Sequence, residues 1–448
     1  MRDLSAVFKA YDIRGVVGEQ LDADLVRKAG AAFVRLVGGP AVVIGYDMRD
    51  SSPGLAEAFG EGVTGQGVNV INIGLASTDM LYFASGALNL PGAMFTASHN
   101  PAEYNGIKLC RAGAAPVGQD SGLAEIRAAV EQGVPSGPGG GTAESRDMLE
   151  SYAEYLRDLV DLSGSRPLKI VVDAGNGMGG HTVPKVFAGL SIEIVPMYFE
   201  LDGTFPNHEA NPLDPKNIVD LQHKVREVGA DAGLAFDGDA DRCFVVDERG
   251  EAVPPSAVTA LVATRELAKV PGATVIHNLI TSKAVPEIVT EHGGTPVRTR
   301  VGHSFIKQKM AETDAIFGGE HSAHYYFRDF WRADTGMLAA LHVLAALGEQ
   351  PGPLSELTHE YSRYATSGEI NSTVDDQAGR MAAVKQEFQG RPGVTVDELD
   401  GLTVEVGGGA WFNLRPSNTE PLLRLNVEAA DDERVAALRD EVLALVRG

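Results

Sequence analysis

The chain is poor in cysteine, in basic charge and in long apolar runs. Only Cys110 and Cys243 occur in 448 residues, too few for a disulfide framework. Cys243 lies in an apolar run, so a buried thiol is expected there. No apolar stretch approaches the ~20 residues that span a bilayer. The N-terminal Met1-Arg2-Asp3-Leu4 lacks a secretory hydrophobic region. Basic residues number 38 against 61 acidic ones, a net charge of −23. That balance argues against a broad basic face for nucleic acid or an anionic membrane. It leaves room for a local basic pocket, so an anionic small molecule stays compatible. The expectation is a cytoplasmic enzyme, monomer or homodimer, with a small-molecule substrate and neither nucleic-acid nor membrane partners.

What is present is a repeated layout. Ala41-Val42-Val43-Ile44, Leu168 to Val172 and Ala273 to Ile276 each read as a short buried strand. Each leads through a polar or glycine-bearing loop and a helix-like stretch to a second β-rich run: Val68 to Ile73, Ser191 to Val195 and Thr295 to Thr299. Strand, loop, helix and strand at this length form a βαβ crossover. Ligands gather at the carboxyl ends of such strands. The loops Tyr46 to Ser52, Asp173 to Gly180 and Asn278 to Lys283 are therefore the ones to watch. Val134 to Gly141, rich in glycine and proline, reads as a flexible connection, and Met148 to Val160 as a helix opening the next unit. The tail reads differently: strand Glu369 to Val374, helix Gln377 to Phe388, further strands and a helix from Asp431. Four domains are expected, spanning 1–145, 146–250, 251–365 and 366–448. The first three are similar α/β units with mixed sheets and the last is α+β.

Two motifs carry most of the chemistry. Thr96-Ala97-Ser98-His99-Asn100-Pro101 places a hydroxyl beside an imidazole in a proline-bounded turn. It lacks the G-x-S-x-G elbow of an acyl-transfer serine. A turn serine and a phosphoserine both remain open; the second needs cations nearby, and Lys108 is a candidate. Asp237-Gly238-Asp239-Ala240-Asp241-Arg242 supplies carboxylates at alternate positions, which an extended backbone would put on one side. They suit Mg²⁺. An EF-hand fits poorly: Glu248 falls at its twelfth position, but Arg242 stands where glycine is required. Together the two motifs point to phosphoryl transfer.

Other stretches are weaker. Gly175-Asn176-Gly177-Met178-Gly179-Gly180 matches the dinucleotide pattern, with Glu193 near the ribose-acid distance. Asp173 at the strand end opposes a pyrophosphate, so a structural glycine turn competes with a dinucleotide-dependent oxidoreductase. Arg415-Pro416-Ser417-Asn418-Thr419-Glu420-Pro421 has the donors of a phosphate cradle. Glu320-His321-Ser322-Ala323-His324 suits sugar hydroxyls. Arg298, Arg300, His303, Lys307 and Lys309 form a basic island, either a focusing patch or a solvated helix face.

These segments, together with Lys9-Ala10-Tyr11-Asp12-Ile13-Arg14-Gly15, resemble the α-D-phosphohexomutase family, in its bacterial phosphomannomutase/phosphoglucomutase branch. The resemblance follows family order along essentially the whole chain. It implies four domains around a central cleft, with Ser98 as phosphoserine and Mg²⁺ held by its phosphate with Asp237, Asp239 and Asp241. Arg242 would hold the reacting group, and His99 and Lys108 would move protons and steady it. Glu320, Ser322 and His324 would bind sugar hydroxyls. Arg415, Ser417, Asn418 and Thr419 would bind the other phosphate, with Tyr11, Arg14, Lys283 and His303 as further contacts. The implied reaction interconverts hexose 6- and 1-phosphates, mannose ahead of glucose, through a 1,6-bisphosphosugar. Ala323, where many relatives carry glycine, is a departure in the sugar loop. Asn418 leans away from phosphoglucosamine mutases, which remain the alternative within the family.

Overall fold

The computed structural model describes residues 4–417 and 422–448. The chain forms two compact units, residues 1–255 with 322–357 and residues 256–321 with 358–448. Among the described residues no helix is long and apolar enough to cross a membrane.

The first unit contains two mixed sheets. In one, the strands are β1 (Ile13–Val16), β2 (Ala41–Tyr46), β3 (Asn69–Leu75), β4 (Gly92–Phe95), β5 (Tyr104–Arg111), β6 (Ala115–Pro116) and β7 (Ala143–Ser145). They lie in the order β1-β5-β4-β2-β3-β7, with β6 beside β5. β2 is parallel to both β3 and β4, while β5 is antiparallel to β4 and β1. Because β2 lies between β3 and β4, the chain leaves it in one direction and later returns on its other side. The loops following β2 and β4 therefore open onto a common crevice. Beneath them Phe33, Phe59 and Phe95 pack at centroid separations of 5.9 and 5.5 Å.

The connection 134–141 is more tightly held than its composition implies. Gln66 Nε2 donates to Pro135 O at 2.9 Å, and the amides of Gly139 and Gly141 donate to Gly65 O and Thr64 O. Glycine serves close backbone approach here, and the segment continues into β7, a strand that sequence pattern did not reveal.

The second sheet contains β8 (Leu168–Asp173), β9 (Ile192–Met197), β10 (Ala232–Phe236), β11 (Cys243–Asp247) and β12 (Ala252–Val253), ordered β12-β11-β10-β8-β9. β8 is parallel to β9 and β10, and β10 turns back antiparallel into β11. Cys243 is buried at the start of β11, as expected. The unit is completed by Tyr325–Phe327, paired antiparallel with Ala333–Asp334, and by the buried apolar helix Gly336–Gly348.

In the second unit Thr274–Asn278 pairs in parallel with Thr295–Thr299 and Phe317–Gly319. An antiparallel five-stranded sheet follows, backed by the helices Gln377–Gln389 and Asp432–Arg447. Its core joins Val384, Phe388, Phe412 and Val442. This is the α+β tail expected from the sequence, with its first strand starting earlier, at Ala365.

One buried carboxylate ties distant parts of the first unit together. Asp79, in the first turn of the helix Thr78–Leu88, accepts from Ser77 Oγ, from Tyr152 Oη at 2.6 Å and from Thr335 Oγ1 at 2.7 Å. Burial pushes its pKa from 3.8 up to about 6 against the pull of those hydroxyls. The folded state thus holds an extra proton between these values, so the carboxylate erodes stability as pH rises through that window. Over about 2 pH units this amounts to about 3 kcal/mol. The unfolding free energy of wild type should therefore fall relative to Asp79→Asn between pH 4 and pH 7, by denaturant titration. Parallel pH profiles for the two proteins would contradict this account.

Candidate active site

Ser98 stands in the loop between β4 and β5 and is 5% exposed. Its φ of 52° is left-handed, uncommon for a residue with a side chain. Thr96 Oγ1 accepts its amide at 2.9 Å, and Asn100 N donates to Ala97 O at 3.0 Å. Arg14, on β1, reaches the same loop, donating to Asn100 Oδ1 at 2.6 Å and Ala97 O at 3.4 Å. The Ser98 hydroxyl is 3.0 Å from Asp237 Oδ2 and 3.2 Å from His99 Nδ1.

Residues 237–242 connect β10 to β11 immediately after the Phe236–Cys243 pair. The backbone here is not extended, contrary to the sequence expectation, because a hairpin must reverse direction. Ala240 adopts a φ of 58°, and its amide donates to Asp237 O at 3.0 Å. The turn, rather than a pleat, makes the carboxylates converge. Oxygens of Asp237, Asp239 and Asp241, all buried, lie within 4.8 Å of one another. Glu248 lies beyond β11, where its carboxylate accepts from Ser355 N at 3.0 Å, so the EF-hand arrangement is absent.

Two cations from different segments meet these acids. Lys108 Nζ lies 2.7 Å from Asp239 Oδ2 and 2.5 Å from Asp241 Oδ2. Arg242 Nε and Nη2 lie 2.9 and 2.8 Å from Asp237 Oδ2. Arg242 Nη2 also donates to His99 Nδ1 at 2.6 Å. Since a guanidinium can only donate, His99 accepts at Nδ1 and carries its proton on Nε2. Burial, reinforced by Arg242 and Arg14, holds the imidazole well below its ordinary pKa and thus neutral. Burial, with Asp241 and Asp239 adding to it, pushes Asp237 up to about 8 against Arg242. Burial would also raise Asp239, but Lys108 and hydrogen bonds from Lys108, Thr78 and Ser98 hold it below its usual value. For Lys108 the burial penalty is outweighed by Asp239 and Asp241, so the ammonium is raised.

Asp239 Oδ1 and Asp241 Oδ1 are buried without a hydrogen-bond donor. Buried anionic oxygens with open lone pairs suit a hard divalent cation. The donor set therefore fits a metal held by Asp237, Asp239 and Asp241.

Ser322 and His324 lie in the same unit: their Oγ and Nδ1 are 2.9 Å apart, and His324 Nε2 is 3.9 Å from Asp241 Oδ1. Ala323 between them is buried at φ 64°, a conformation that glycine would take without strain. Other expected residues belong to the second unit. Glu320, 2% exposed, accepts from Asn278 Nδ2 and Gly302 N, each at 3.2 Å. Lys283 Nζ lies 3.3 Å from Glu405 and lines a cavity of about 360 Å³ with His277, Arg298 and Trp411. Arg415 lies 3.9 Å from Asp400, the Ser417 amide donates to Leu422 O, and His303 begins the helix His303–Thr313. Tyr11 is half-buried ahead of β1. Asn418 and Thr419 fall outside the described residues.

The residues of the basic island are engaged in different ways. Arg298 pairs with Asp397, Lys309 with Glu312, Arg300 lies over Phe305, and Lys307 is buried. The glycine loop supports its neighbour by close packing. A Cβ at Gly177 would lie 2.6 Å from Gly238 O, and one at Gly238 would lie 2.3 Å from Ser98 O. Two participants escaped sequence reasoning. Thr78 Oγ1 donates to Asp239 Oδ2 at 2.5 Å, and Arg49 binds the Ser98 loop; only Arg49 lay in a loop marked as a crevice wall.

Breaking one side of a buried ion pair costs about 3 kcal/mol or more. Lys108→Met should accordingly lower the thermal midpoint in chelator. Added Mg²⁺ should then raise that midpoint more than it does in wild type, because both carboxylates are freed. Equal Mg²⁺ shifts in the two proteins, by scanning calorimetry, would contradict a cation site on these acids.

Known proteins resemble this chain along nearly its whole length. The phosphoglucomutase/phosphomannomutase family matches in four parts: α/β/α domain I over residues 5–135, domain II over 150–250, domain III over 254–364 and the C-terminal domain over 369–445. A Xanthomonas campestris protein named "Phosphohexose mutases" is 42% identical over 98% of this chain and 99% of its own. An Escherichia coli phosphomannomutase is 40% identical, again over 98% and 99%. The crystal structure of a phosphoglucomutase/phosphomannomutase family protein from Burkholderia thailandensis superposes with a TM-score of 0.89 at 33% identity, covering 99% of this chain and 97% of that one. With a serine hydroxyl, three converging carboxylates and their cations set in this frame, the chain belongs to the α-D-phosphohexomutase family and is a phosphohexomutase, an isomerase of carbohydrate metabolism.

Proposed function

We propose that this phosphohexomutase interconverts mannose 6-phosphate and mannose 1-phosphate, with glucose phosphates as further substrates, through a phosphoserine at Ser98. The observation that carries the reading is the 3.0 Å approach of Ser98 Oγ to an Asp237 oxygen that also accepts from Arg242 at 2.9 Å. A hydroxyl held there has a guanidinium beside it and acids able to take a cation behind it.

In the forward half, the phosphoryl group on Ser98 passes to the free hydroxyl of the bound hexose monophosphate. The Ser98 O–P bond breaks, the sugar O–P bond forms, the sugar hydroxyl proton leaves to a base, and the freed Ser98 oxygen takes up a proton. The 1,6-bisphosphosugar then turns over, and its other phosphoryl group returns to Ser98. When bound at Asp237, Asp239 and Asp241, Mg²⁺ supplies charge neutralisation at the transferring group. Arg242 donates to the equatorial oxygens, whose charge spreads in a loose transition state. By the resemblance of the motifs, His99 and Lys108 steady the same group and serve the proton transfer. General acid–base help of this kind is worth roughly 10²- to 10⁴-fold.

Glu320, Ser322 and His324 recognise sugar hydroxyls, while Arg415, Ser417, Asn418 and Thr419 hold the phosphate that is not reacting. Tyr11, Arg14, Lys283 and His303 complete the contacts. The chain would divide into four domains, 1–145, 146–250, 251–365 and 366–448, in a cytoplasmic enzyme acting as monomer or homodimer. The resemblance of the motifs and the domain matches support that division.

Purified protein should carry substoichiometric phosphate on Ser98 by intact-mass analysis. Ser98→Ala should lose turnover by roughly 10³-fold or more, even with 1,6-bisphosphosugar supplied. Mannose 1-phosphate, glucose 1-phosphate and glucosamine 1-phosphate, assayed side by side, should rank in that order. Wild-type turnover in Ser98→Ala would sink the phosphoserine, and glucosamine 1-phosphate leading would reassign the substrate.

A further inference from the structure

We propose that Arg49 is the positioning residue of the Ser98 loop, a buried guanidinium whose fork fixes where the nucleophilic hydroxyl stands. The inference rests on Ser98 as the nucleophile of the reaction above.

Arg49 is 2% exposed. Its Nη2 donates to Ser98 O at 3.0 Å and Asn100 O at 2.7 Å, and its Nη1 to Pro101 O at 2.8 Å and Tyr104 O at 3.0 Å. Nε donates to Asp47 Oδ2 at 3.2 Å. All five N–H groups of the guanidinium are thus used, three of them on carbonyls of the loop and one on Tyr104 at the start of β5. The base of the fork is itself fixed. Asp47 is fully buried and accepts from Arg49 N at 3.0 Å and Ser52 Oγ at 2.6 Å. Asn105, on β5 just past the loop, donates to Ser52 Oγ at 2.9 Å. The Phe205 ring covers the guanidinium at 5.1 Å, and Gly203 packs on the Arg49 backbone.

Such a scaffold answers a specific need. Ser98 occupies a left-handed conformation that residues with side chains rarely adopt, so the surroundings must over-determine it. The loop's own backbone bonds, Asn100 N to Ala97 O and Tyr104 N to Pro101 O, leave the carbonyls of Ser98 and Asn100 to Arg49. Lysine cannot replace this contact, since three donors on one nitrogen cannot span four carbonyls and a carboxylate. Displacement of a reacting atom by about 1 Å costs roughly 10²-fold in rate.

Arg49→Lys should therefore lower kcat by roughly 10²-fold with KM for the hexose phosphate nearly unchanged, the pattern of an interaction felt in the transition state. Amides of residues 96–104 should exchange with deuterium faster than in wild type. Gly203→Ala provides a second test that removes no donor. Its Cβ would lie 2.7 Å from Arg49 Cα, so it should shift the fork and give the same kcat-selective loss. A purely architectural Arg49 would lower the melting temperature and leave kcat per folded molecule intact. Wild-type kcat in a folded variant, a proportional rise in KM, or lost kcat without faster exchange in 96–104 overturns the proposal. If wild type turns over no hexose phosphate, the functional reading fails instead, and the exchange measurement still decides whether Arg49 holds the loop.

Discussion

Three carboxylates removed from water within a few ångströms of one another are unstable by themselves, and the site is organised around that constraint. Each solution comes from a different stretch of chain. Lys108, on β5, bridges Asp239 and Asp241, while Arg242, at the end of the hairpin loop, takes Asp237. The remaining imbalance appears as a raised Asp237, a lowered Asp239 and two buried oxygens without donors. The Ser98 hydroxyl lies against this arrangement, 3.0 Å from the Asp237 oxygen that also accepts from Arg242.

The surrounding fold keeps that arrangement rigid through backbone groups. Carbonyls of the Ser98 loop are taken up by Arg49, and Thr78 bonds to Asp239 through both its hydroxyl and its amide. Asp79, next to Thr78, is anchored by hydroxyls from two other segments. The same helix start thus serves the aspartate loop on one residue and long-range cohesion on the next.

Much of this was legible in the sequence because the chemistry is written in contiguous motifs. Ser98-His99 and Asp237 to Arg242 carry their meaning locally, and the order of motifs along the chain identified the family. The βαβ rhythm was equally visible, since buried parallel strands are continuous apolar runs. What stayed hidden depends on tertiary partners. Arg49 reads as one more charged residue until its carbonyls are located, and Thr78 gives no local signal at all. Alternate spacing of the aspartates announced convergence but suggested the wrong backbone, because only the strand pairing shows that residues 237–242 must reverse direction. Glycine-rich composition likewise suggested slack at 134–141, where small residues in fact permit a close backbone contact.

The stacking of Gly177 on Gly238 and of Gly238 on Ser98 has a consequence for how such a chain can diversify. Its architecture is repetitive, and repetition invites the exchange of one module for a cousin. Yet these three loops meet main chain to main chain, with no side chain between them to absorb a mismatch of a few tenths of an ångström. A transplanted first module would bring its serine loop to a floor shaped for another loop. Recombination should succeed only when the first two modules travel together.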